Sequence, residues 1–424
     1  MRKVTLVRGA RQLLTLHGPV GARRGPDLRN LGIIQDGAVL IVDGLIEDVG
    51  SSRRVENLAM ARQAKEIDAT GRVVMPGFID SHTHLVSGPA RIQDFQMQIS
   101  GATPEEIAQA GGGTRAVART ISELSPRALE AQARNAIEDA IRHGTTTLEA
   151  KSGFGLTDAG ELKILRVHAA LRRRSVALVS TFLHGRSFPE NSGLTDQFVD
   201  WICSRMLPLV KRRKLADFVD ARCEAGGFNV HQTTRYLTAA RQLGFGVKLH
   251  AGPRSHVGAV HVAVNAGATS IDNLVVVGRE DVALLGQSRT IATLLPGPGF
   301  FLGTERYPPA RLLIDGGAAV ALATGYSPES SPCRSLQMII ALACRKMAMT
   351  PAEAIAASTI NSAHSLGRAG QTGSIEKGKS ADLIILGVPD YREIPYHFGV
   401  NLVELVMHGG AVLAERSEVK WPVN

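Results

Sequence analysis

Three histidines stand where two strands of the sequence are expected to end. The segment DSHTH, residues 80–84, follows an apolar stretch, and His250 lies near the end of the stretch GVKLHA. Residues two apart on a strand point to the same side, so His82 and His84 face one space. Imidazoles placed so close together are typical ligands of a metal ion. The pattern predicts a metal site at His82 and His84, with His250 as a third ligand if it lies opposite them.

Elements that could bring these histidines together are found along most of the chain. Eight apolar strand candidates alternate with helical stretches, which is the pattern of a (β/α)8 barrel of the TIM type, an α/β fold. The strand candidates are RVVMPGFID, TTTLEAK, VALVSTFL, DFVDARCE, GVKLHA, TSIDNLV, TIATLLP and AVALATG. Functional residues of this fold lie at the carboxyl ends of the strands, and the first and fifth strands face each other. The three histidines can therefore converge.

Two helices of the predicted barrel carry clear boundary signals. Ser125 and Pro126 begin a helix whose apolar positions share one face, and Gly144 ends it. Thr350 begins another helix with a capping box, and Gly367 is its expected end.

Short β-like stretches separated by glycine turns occupy both ends of the chain. Neither end is long enough for a stable domain alone, so we expect one small β-sandwich built from both termini. The predicted domains are residues 1–75 and 371–424 for the β-sandwich and residues 76–370 for the barrel.

The composition excludes several other classes of protein. The chain has 424 residues, 44% hydrophobic and 21% charged, which is typical of a globular protein. No apolar run approaches the roughly 18 residues of a membrane helix, so no membrane partner is expected. The net charge is +9, but aromatic residues make up only 4% and do not accompany the basic runs, so no nucleic-acid partner is expected. Four cysteines without CxxC spacing indicate reduced thiols in a cytoplasmic protein.

The motif PGFIDSHTHL, residues 76–85, resembles that of the amidohydrolase superfamily. Further stretches resemble the imidazolonepropionase family of histidine degradation, whose members open a cyclic imidazolone ring. These stretches are EEIAQAGGGT, GTTTLEAKSGFGL, ALATGYSPESSP, MTPAEAIAASTINSAHSLG, GSIEKGKSADLIIL and PYHFGVNLV, and they span nearly the whole chain. The resemblance implies a barrel with a β-sandwich made of both termini, hydrolysis of a C–N bond, and a homodimer.

The resemblance also implies one zinc or iron ion, held by the three histidines and by an aspartate that ends the eighth strand. Gly325 stands in the place of that aspartate. Pro253 replaces a glutamate that helps to activate water, and Asn273 replaces a histidine of the sixth strand. Loss of one proton-transfer group typically slows a reaction by about 10²–10⁴-fold. These departures argue against efficient hydrolysis by the family's own mechanism.

Substrate contacts follow from the same resemblance. Arg91 matches an arginine that binds the substrate carboxylate, Phe154 stands where the family has a tyrosine, and Arg186 stands where it has a histidine. Asn273 and Ser327 complete the predicted substrate-binding set. Arginines suit an anionic ligand. The expected partner is therefore a small cyclic amide or imidazolone-like molecule that carries a carboxylate.

Polar residues near strand ends are candidates for the missing proton-transfer groups. His184 ends the third strand and Glu329 lies in the loop after the eighth, and these two are the predicted catalytic residues. Glu149 and Glu224, at the ends of the second and fourth strands, are more typical of structural residues. Asp272 should point away from the site, because its neighbour in sequence points into it.

Two functions stay open at this point. The first is a divergent metal-dependent amidohydrolase, since three histidines and a water complete the coordination of zinc. The second is a non-hydrolytic paralogue, either a pseudo-enzyme or binding protein or one that uses the metal for different chemistry. The surviving histidines favour the first function, which is our prediction.

Overall fold

The computed structural model describes residues 2–172, 176–185, 195–224, 227–252 and 257–416. The strands within these ranges are β1 (Val4–Leu14), β2 (Ile33–Val42), β3 (Leu45–Ser51), β4 (Lys65–Asp68), β5 (Val73–Pro76), β6 (Phe78–Asp80), β7 (Thr145–Lys151), β8 (Ala177–Leu183), β9 (Phe218–Cys223), β10 (Gly246–Ala251), β11 (Ser270–Asn273), β12 (Ile291–Leu294), β13 (Val320–Leu322), β14 (Leu383–Leu386), β15 (Val403–His408) and β16 (Ala411–Glu415).

The α-helices are α1 (Ser52–Val55), α2 (Ile92–Ile99), α3 (Pro104–Gln109), α4 (Gly113–Glu123), α5 (Pro126–Arg142), α6 (Asp158–Leu171), α7 (Asp196–Trp201), α8 (Leu207–Arg212), α9 (Val230–Gln242), α10 (Ala259–Asn265), α11 (Arg279–Gln287), α12 (Pro296–Phe301), α13 (Ala310–Asp315), α14 (Leu336–Lys346), α15 (Pro351–Ala357), α16 (Ile360–Ser365) and α17 (Glu393–Tyr396). Short 3₁₀ turns cover Gly25–Arg29 and Ala61–Gln63, and a π-helical turn covers Ile202–Met206.

The eight strands from β6 to β13 form a parallel barrel in chain order, which confirms the predicted α/β fold. The first predicted strand is divided between two sheets. Its first half, β5, belongs to the sheet of the termini, and only β6 belongs to the barrel. Gly77 lies between them, and a Cβ at this position would lie 2.3 Å from the side chain of Thr146 on β7, so the close approach requires glycine.

Strands from both ends of the chain form the second sheet, as predicted. Its order is β16-β15-β14-β5-β1-β2-β3, and β4 pairs with β1. The two ends meet where β14 pairs antiparallel with β5. Buried side chains such as Leu13, Val39, Ile385 and Met407 form a hydrophobic cluster of this sheet. The exact domain limits stay a prediction.

The helix boundaries agree with the prediction at one site and differ at another. Helix α5 begins after Ser125, whose hydroxyl accepts a hydrogen bond from the N–H of Ala128. The helix predicted from Thr350 to Gly367 is wrong in one respect, because it breaks into α15 and α16. The carbonyl of Ser358 accepts a hydrogen bond from the N–H of Ile79 on β6 instead of continuing the helix.

Within the described ranges, every helix is too short or too polar to cross a membrane. The cytoplasmic location and the homodimer stay predictions.

Replacing Asn361 by alanine should lower the free energy of unfolding by about 3 kcal/mol, because buried backbone groups lose their partners. The side chain of Asn361 accepts from the N–H of Arg23 at 2.7 Å and donates to the carbonyls of Arg23 and Val320 at 3.0 and 2.8 Å. Denaturant unfolding measures the change. The control Asn57→Ala, at an exposed position, should cost less than about 0.5 kcal/mol. Equal losses in the two variants would contradict this account.

Candidate metal centre and substrate cavity

Contacts just beyond β6 and β13 join the first and eighth strands of the barrel. The carboxylate of Asp80 accepts hydrogen bonds from the N–H and the hydroxyl of Thr324, at 3.0 and 2.6 Å. Thr83 and Tyr326 form a parallel bridge, and the N–H of His84 donates to the carbonyl of Tyr326 at 2.8 Å. These contacts hold the segment that carries the first two histidines.

The three predicted histidine rings come together at this end of the barrel. The ring centroids of His82 and His84 are 5.7 Å apart, and those of His82 and His250 are 5.4 Å apart. All three side chains line one cavity. The structure therefore brings together the residues that strand spacing selected, and their role as metal ligands stays a prediction.

A buried carboxylate orients His82. Its Nδ1 lies 2.7 Å from Oδ2 of Asp272. When Nδ1 donates its proton to this oxygen, Nε2 keeps the lone pair that a metal needs. The expectation that Asp272 points away from the site is wrong. Asn273 and Leu274 have positive φ angles of 85° and 51°, so the regular alternation of the strand ends there and consecutive side chains can both reach the site.

Two lysines accompany the carboxylates inside the barrel. The Nζ of Lys151 lies 2.6 Å from Asp220 and 2.9 Å from Asp272, and the Nζ of Lys248 lies 2.7 Å from Glu149. All five side chains have 0% exposure. Three carboxylates share two ammonium groups, so one negative charge is in excess when all are ionised. Burial raises the pKa of Asp220, however, so the carboxylate that stays ionised beside the imidazoles is Asp272.

His82, Glu149 and Asp272 form a second set of donors, because one ligand atom of each lies within 4.8 Å of the others. Both carboxylates of this set already bond to buried lysines. A cation held there would lie close to two ammonium groups, which repel it. We therefore place the candidate metal centre at the three imidazoles.

The surroundings of the imidazoles favour their neutral form. Burial, and then the charge of Lys151, lower the pKa of His82. Burial lowers the pKa of His250 well below its usual value. Neutral imidazole is the form that binds a metal. Burial alone would raise the pKa of Asp272, but the two buried lysines hold it well below its usual value, so this partner of His82 is ionised.

The cavity above the rings has a volume of about 720 Å³, which suits a small molecule. Six of the predicted site residues line it, namely His82, His84, His250, Asn273, Ser327 and Glu329. The predicted metal ligands, two predicted substrate contacts and one predicted catalytic residue are therefore together in one place.

Two other predicted residues are engaged elsewhere and are not among the described residues that line the cavity. Arg91 donates to both carboxylate oxygens of Asp94, each at 3.0 Å. The Nε2 of His184 lies 2.9 Å from Asp158, and its ring packs edge-on against Phe198. The structure gives no support to a direct substrate contact by Arg91 or to catalysis by His184, because nearby carboxylates bind both.

Phe154 has a supporting position. Its side chain is buried, and its ring packs edge-on against His84 with the centroids 4.9 Å apart. It restrains the imidazole and is not found among the described residues of the cavity lining. The remaining predicted substrate contact, Arg186, lies outside the described residues, as does Pro253.

Arg222 is a cavity residue that sequence analysis missed. It lies on β9 and pairs in register with His250 on β10. The missed signal was its position near the carboxyl end of the fourth barrel strand, where this fold keeps functional residues. At the end of this strand, only Glu224, two residues further along, is named in the sequence analysis.

Gly325 also lines the cavity, at the place of the missing aspartate ligand. Its φ of +63° lies in the left-handed region that favours glycine. A Cβ at this position would lie 3.5 Å from Leu295 and 3.6 Å from Pro298, which are ordinary contacts. An aspartate would therefore fit, at a backbone cost of about 1 kcal/mol.

An α/β barrel with an imidazole cluster at the carboxyl ends of its strands is the architecture of a metal-dependent hydrolase. The profile of the amidohydrolase family matches residues 73–412, and the chain belongs to this family. It is 42% identical over 421 residues to an imidazolonepropionase of Geobacillus kaustophilus, and the alignment covers 97% of this chain and 98% of that protein. An imidazolonepropionase of Bacillus mycoides is 38% identical over 420 residues, with 98% of each chain covered. The predicted resemblance is thus confirmed.

Solved structures with lower identity share the fold. Guanine deaminase of E. coli has a TM-score of 0.73 and 15% identity, with 98% of this chain and 100% of that chain covered. Atrazine chlorohydrolase of Arthrobacter aurescens, complexed with zinc, has a TM-score of 0.71 and 18% identity, with 97% and 95% covered. At these identities the likeness shows the fold alone.

Replacing His250 by alanine should reduce the metal content of the purified protein. We expect about one equivalent of zinc or iron in the wild type and less than about one fifth of an equivalent in the variant. Elemental analysis by mass spectrometry measures both. His261→Ala, at an exposed histidine on α10, is the control and should keep its metal. A wild type with less than about a tenth of an equivalent would refute the metal centre.

Replacing Gly325 by aspartate should raise the zinc affinity by about tenfold or more, because a charged oxygen ligand enters the cavity. Competition with a chelating dye measures the affinity. Gly325→Asn is the matched control, since asparagine meets the same backbone constraint without the charge. Equal affinities for the two variants would show that position 325 does not face the metal.

Proposed function

We propose that this chain hydrolyses a ring C–N bond of a small imidazolone-like molecule that carries a carboxylate. His82, His84 and His250 hold one divalent zinc or iron ion for this reaction. The observation that supports the proposal most is three imidazoles lining one cavity, one of them oriented by the buried carboxylate of Asp272. The full-length relatives named imidazolonepropionase support an imidazolone-like ring as the substrate.

The donor set fits a divalent metal. Three neutral imidazoles are ligands that zinc and iron accept, and the ionised carboxylate of Asp272 lies 2.7 Å from the ring of His82. When bound, such a metal lowers the pKa of water and polarises a substrate carbonyl. Asp272 fixes the tautomer and direction of His82, and Phe154 restrains the ring of His84.

Glu329 is our candidate for the general base. It lines the cavity, and its N–H donates to the hydroxyl of Ser327 at 3.2 Å, which fixes the loop that carries both residues. A carboxylate in this position can accept a proton from water and return it to the ring nitrogen that leaves.

Ser327 and Asn273 are the candidates for contacts to the substrate ring. Both line the cavity. The side-chain N–H of Asn273 donates to the carbonyl of Ala251 at 3.2 Å, which directs the amide across two strands. Its oxygen can then accept a hydrogen bond from a ring N–H.

A non-hydrolytic paralogue is the weaker hypothesis. Its motivation is Gly325, which supplies no ligand, together with the proline and asparagine at two further positions of the family's site. It does not account for the convergence of three imidazoles on a cavity, one of them paired with a buried carboxylate.

The metal-loaded wild type should open the ring of imidazolone propionate, and Glu329→Gln should lower kcat by about 10²–10⁴-fold while the metal content stays unchanged. Absorbance of the ring follows the reaction, and a chelator should stop it until zinc or iron is restored. Glu280→Gln, at an exposed glutamate on α11, is the matched control with unchanged kcat. Metal-loaded wild type without ring opening would refute the reaction, whereas an unchanged kcat of Glu329→Gln would refute only the base.

A further inference from the structure

We infer that Arg222 binds the carboxylate of the substrate and so selects anionic rings over neutral ones. This inference rests on the proposed function and adds to it a residue that determines specificity. It follows from the position of the guanidinium, from its remaining hydrogen-bond donors, and from the engagement of Arg91 with Asp94.

The position of Arg222 puts a cation beside the metal centre. Arg222 on β9 pairs in register with His250 on β10, and both line the cavity. A ring bound at the histidines therefore has this guanidinium as a neighbour on the adjacent strand.

The guanidinium of Arg222 has hydrogen-bond donors that remain available for a ligand. Its Nη2 lies 2.6 Å from Oε1 of Glu224 in an ion pair, and the side chain is 21% exposed. Within the part of the chain that the structure describes, its Nε is buried without a hydrogen-bond partner. A guanidinium carries five N–H donors and binds carboxylates in a two-pronged geometry. The contact with Glu224 thus leaves capacity for a second carboxylate.

Glu224 holds the guanidinium in place, and Gly252 makes room for Glu224. A Cβ at Gly252 would lie 2.4 Å from the Cβ of Glu224 and 2.9 Å from its Oε2. Any larger residue at position 252 would displace the glutamate. The absence of a side chain at position 252, just after the strand that carries His250, therefore helps to fix the position of Arg222 through Glu224.

Among the residues that the structure describes, other arginines are less suited to this role. Arg91 already donates to both oxygens of Asp94 through Nε and Nη2, and is not among the described cavity-lining residues. Arg306 lines the cavity but is exposed, so it would lose more side-chain entropy on binding than a strand residue. Arg222 combines partial burial, a fixed partner and remaining donors.

A pair of stable ligands tests the inference without catalysis. The probes are a hydantoin bearing a propionate and the same hydantoin bearing a propionamide, titrated into zinc-loaded protein by calorimetry. The wild type should bind the acid at least about tenfold more tightly than the amide. Arg222→Met should weaken binding of the acid by about 10- to 100-fold and binding of the amide by less than about twofold. The affinity of Arg222→Lys for the acid should lie between those of the wild type and Arg222→Met, since lysine keeps the charge but cannot donate two parallel hydrogen bonds.

Controls separate a binding role from a structural one. Arg212→Met, at an exposed arginine on α8, should leave both affinities unchanged, and circular dichroism checks the fold of each variant. Equal loss of acid and amide binding in Arg222→Met, or no loss, overturns the inference, as does a wild type that binds no acid. An acid-selective loss in Arg91→Met in its place also overturns it. Acid selectivity that depends on Arg222, without ring opening, would uphold the inference and refute the proposed reaction.

Discussion

The contact between Asp272 and His82 is the interaction on which the site depends. A buried carboxylate without a counter-charge costs several kcal/mol, and Asp272 has two buried counter-charges, Lys151 at 2.9 Å and Lys248 at 3.9 Å. The two lysines keep the carboxylate ionised, and the ionised carboxylate accepts a hydrogen bond from the N–H at Nδ1 of His82. His82 is thereby left with one nitrogen for a ligand, in a fixed direction. The orientation of His82 in the cavity thus depends on a buried ion pair, Asp272 with Lys151, whose residues are not among the described residues that line the cavity.

The barrel closes through the same segments that carry the site. Thr324 bonds to Asp80, and Tyr326 pairs with the segment of His84, so Gly325 lies between two closing contacts. Its positive φ turns the chain from one contact to the other. Because backbone groups and the Thr324 side chain make these contacts, an aspartate ligand is not needed to hold the first two histidines in place. Metal binding by imidazoles alone is therefore compatible with this fold.

The eight strands and the meeting of the histidines could be predicted, because apolar runs mark the strands and the barrel fixes their order. Side-chain contacts that depend on neighbours in space could not be predicted. Arg91 is bound by Asp94, and His184 is bound by Asp158, although nothing in strand spacing indicates either pair. The direction of the Asp272 side chain could not be predicted for a different reason. The alternation of side chains along a strand ends at Asn273, where the backbone becomes left-handed.

The buried charges also bear on whether Gly325 marks an altered site or a lost one. Replacing buried ion pairs by well-packed hydrophobic residues is often neutral or stabilising, so folding alone does not require five charged side chains in a barrel interior. Features that cost stability without structural benefit are typical of functional sites. Here they place the ionised carboxylate of Asp272 against Nδ1 of His82, one of the residues that line the cavity. That arrangement, together with the full-length match to imidazolonepropionases, favours a hydrolase over a scaffold that has lost its chemistry.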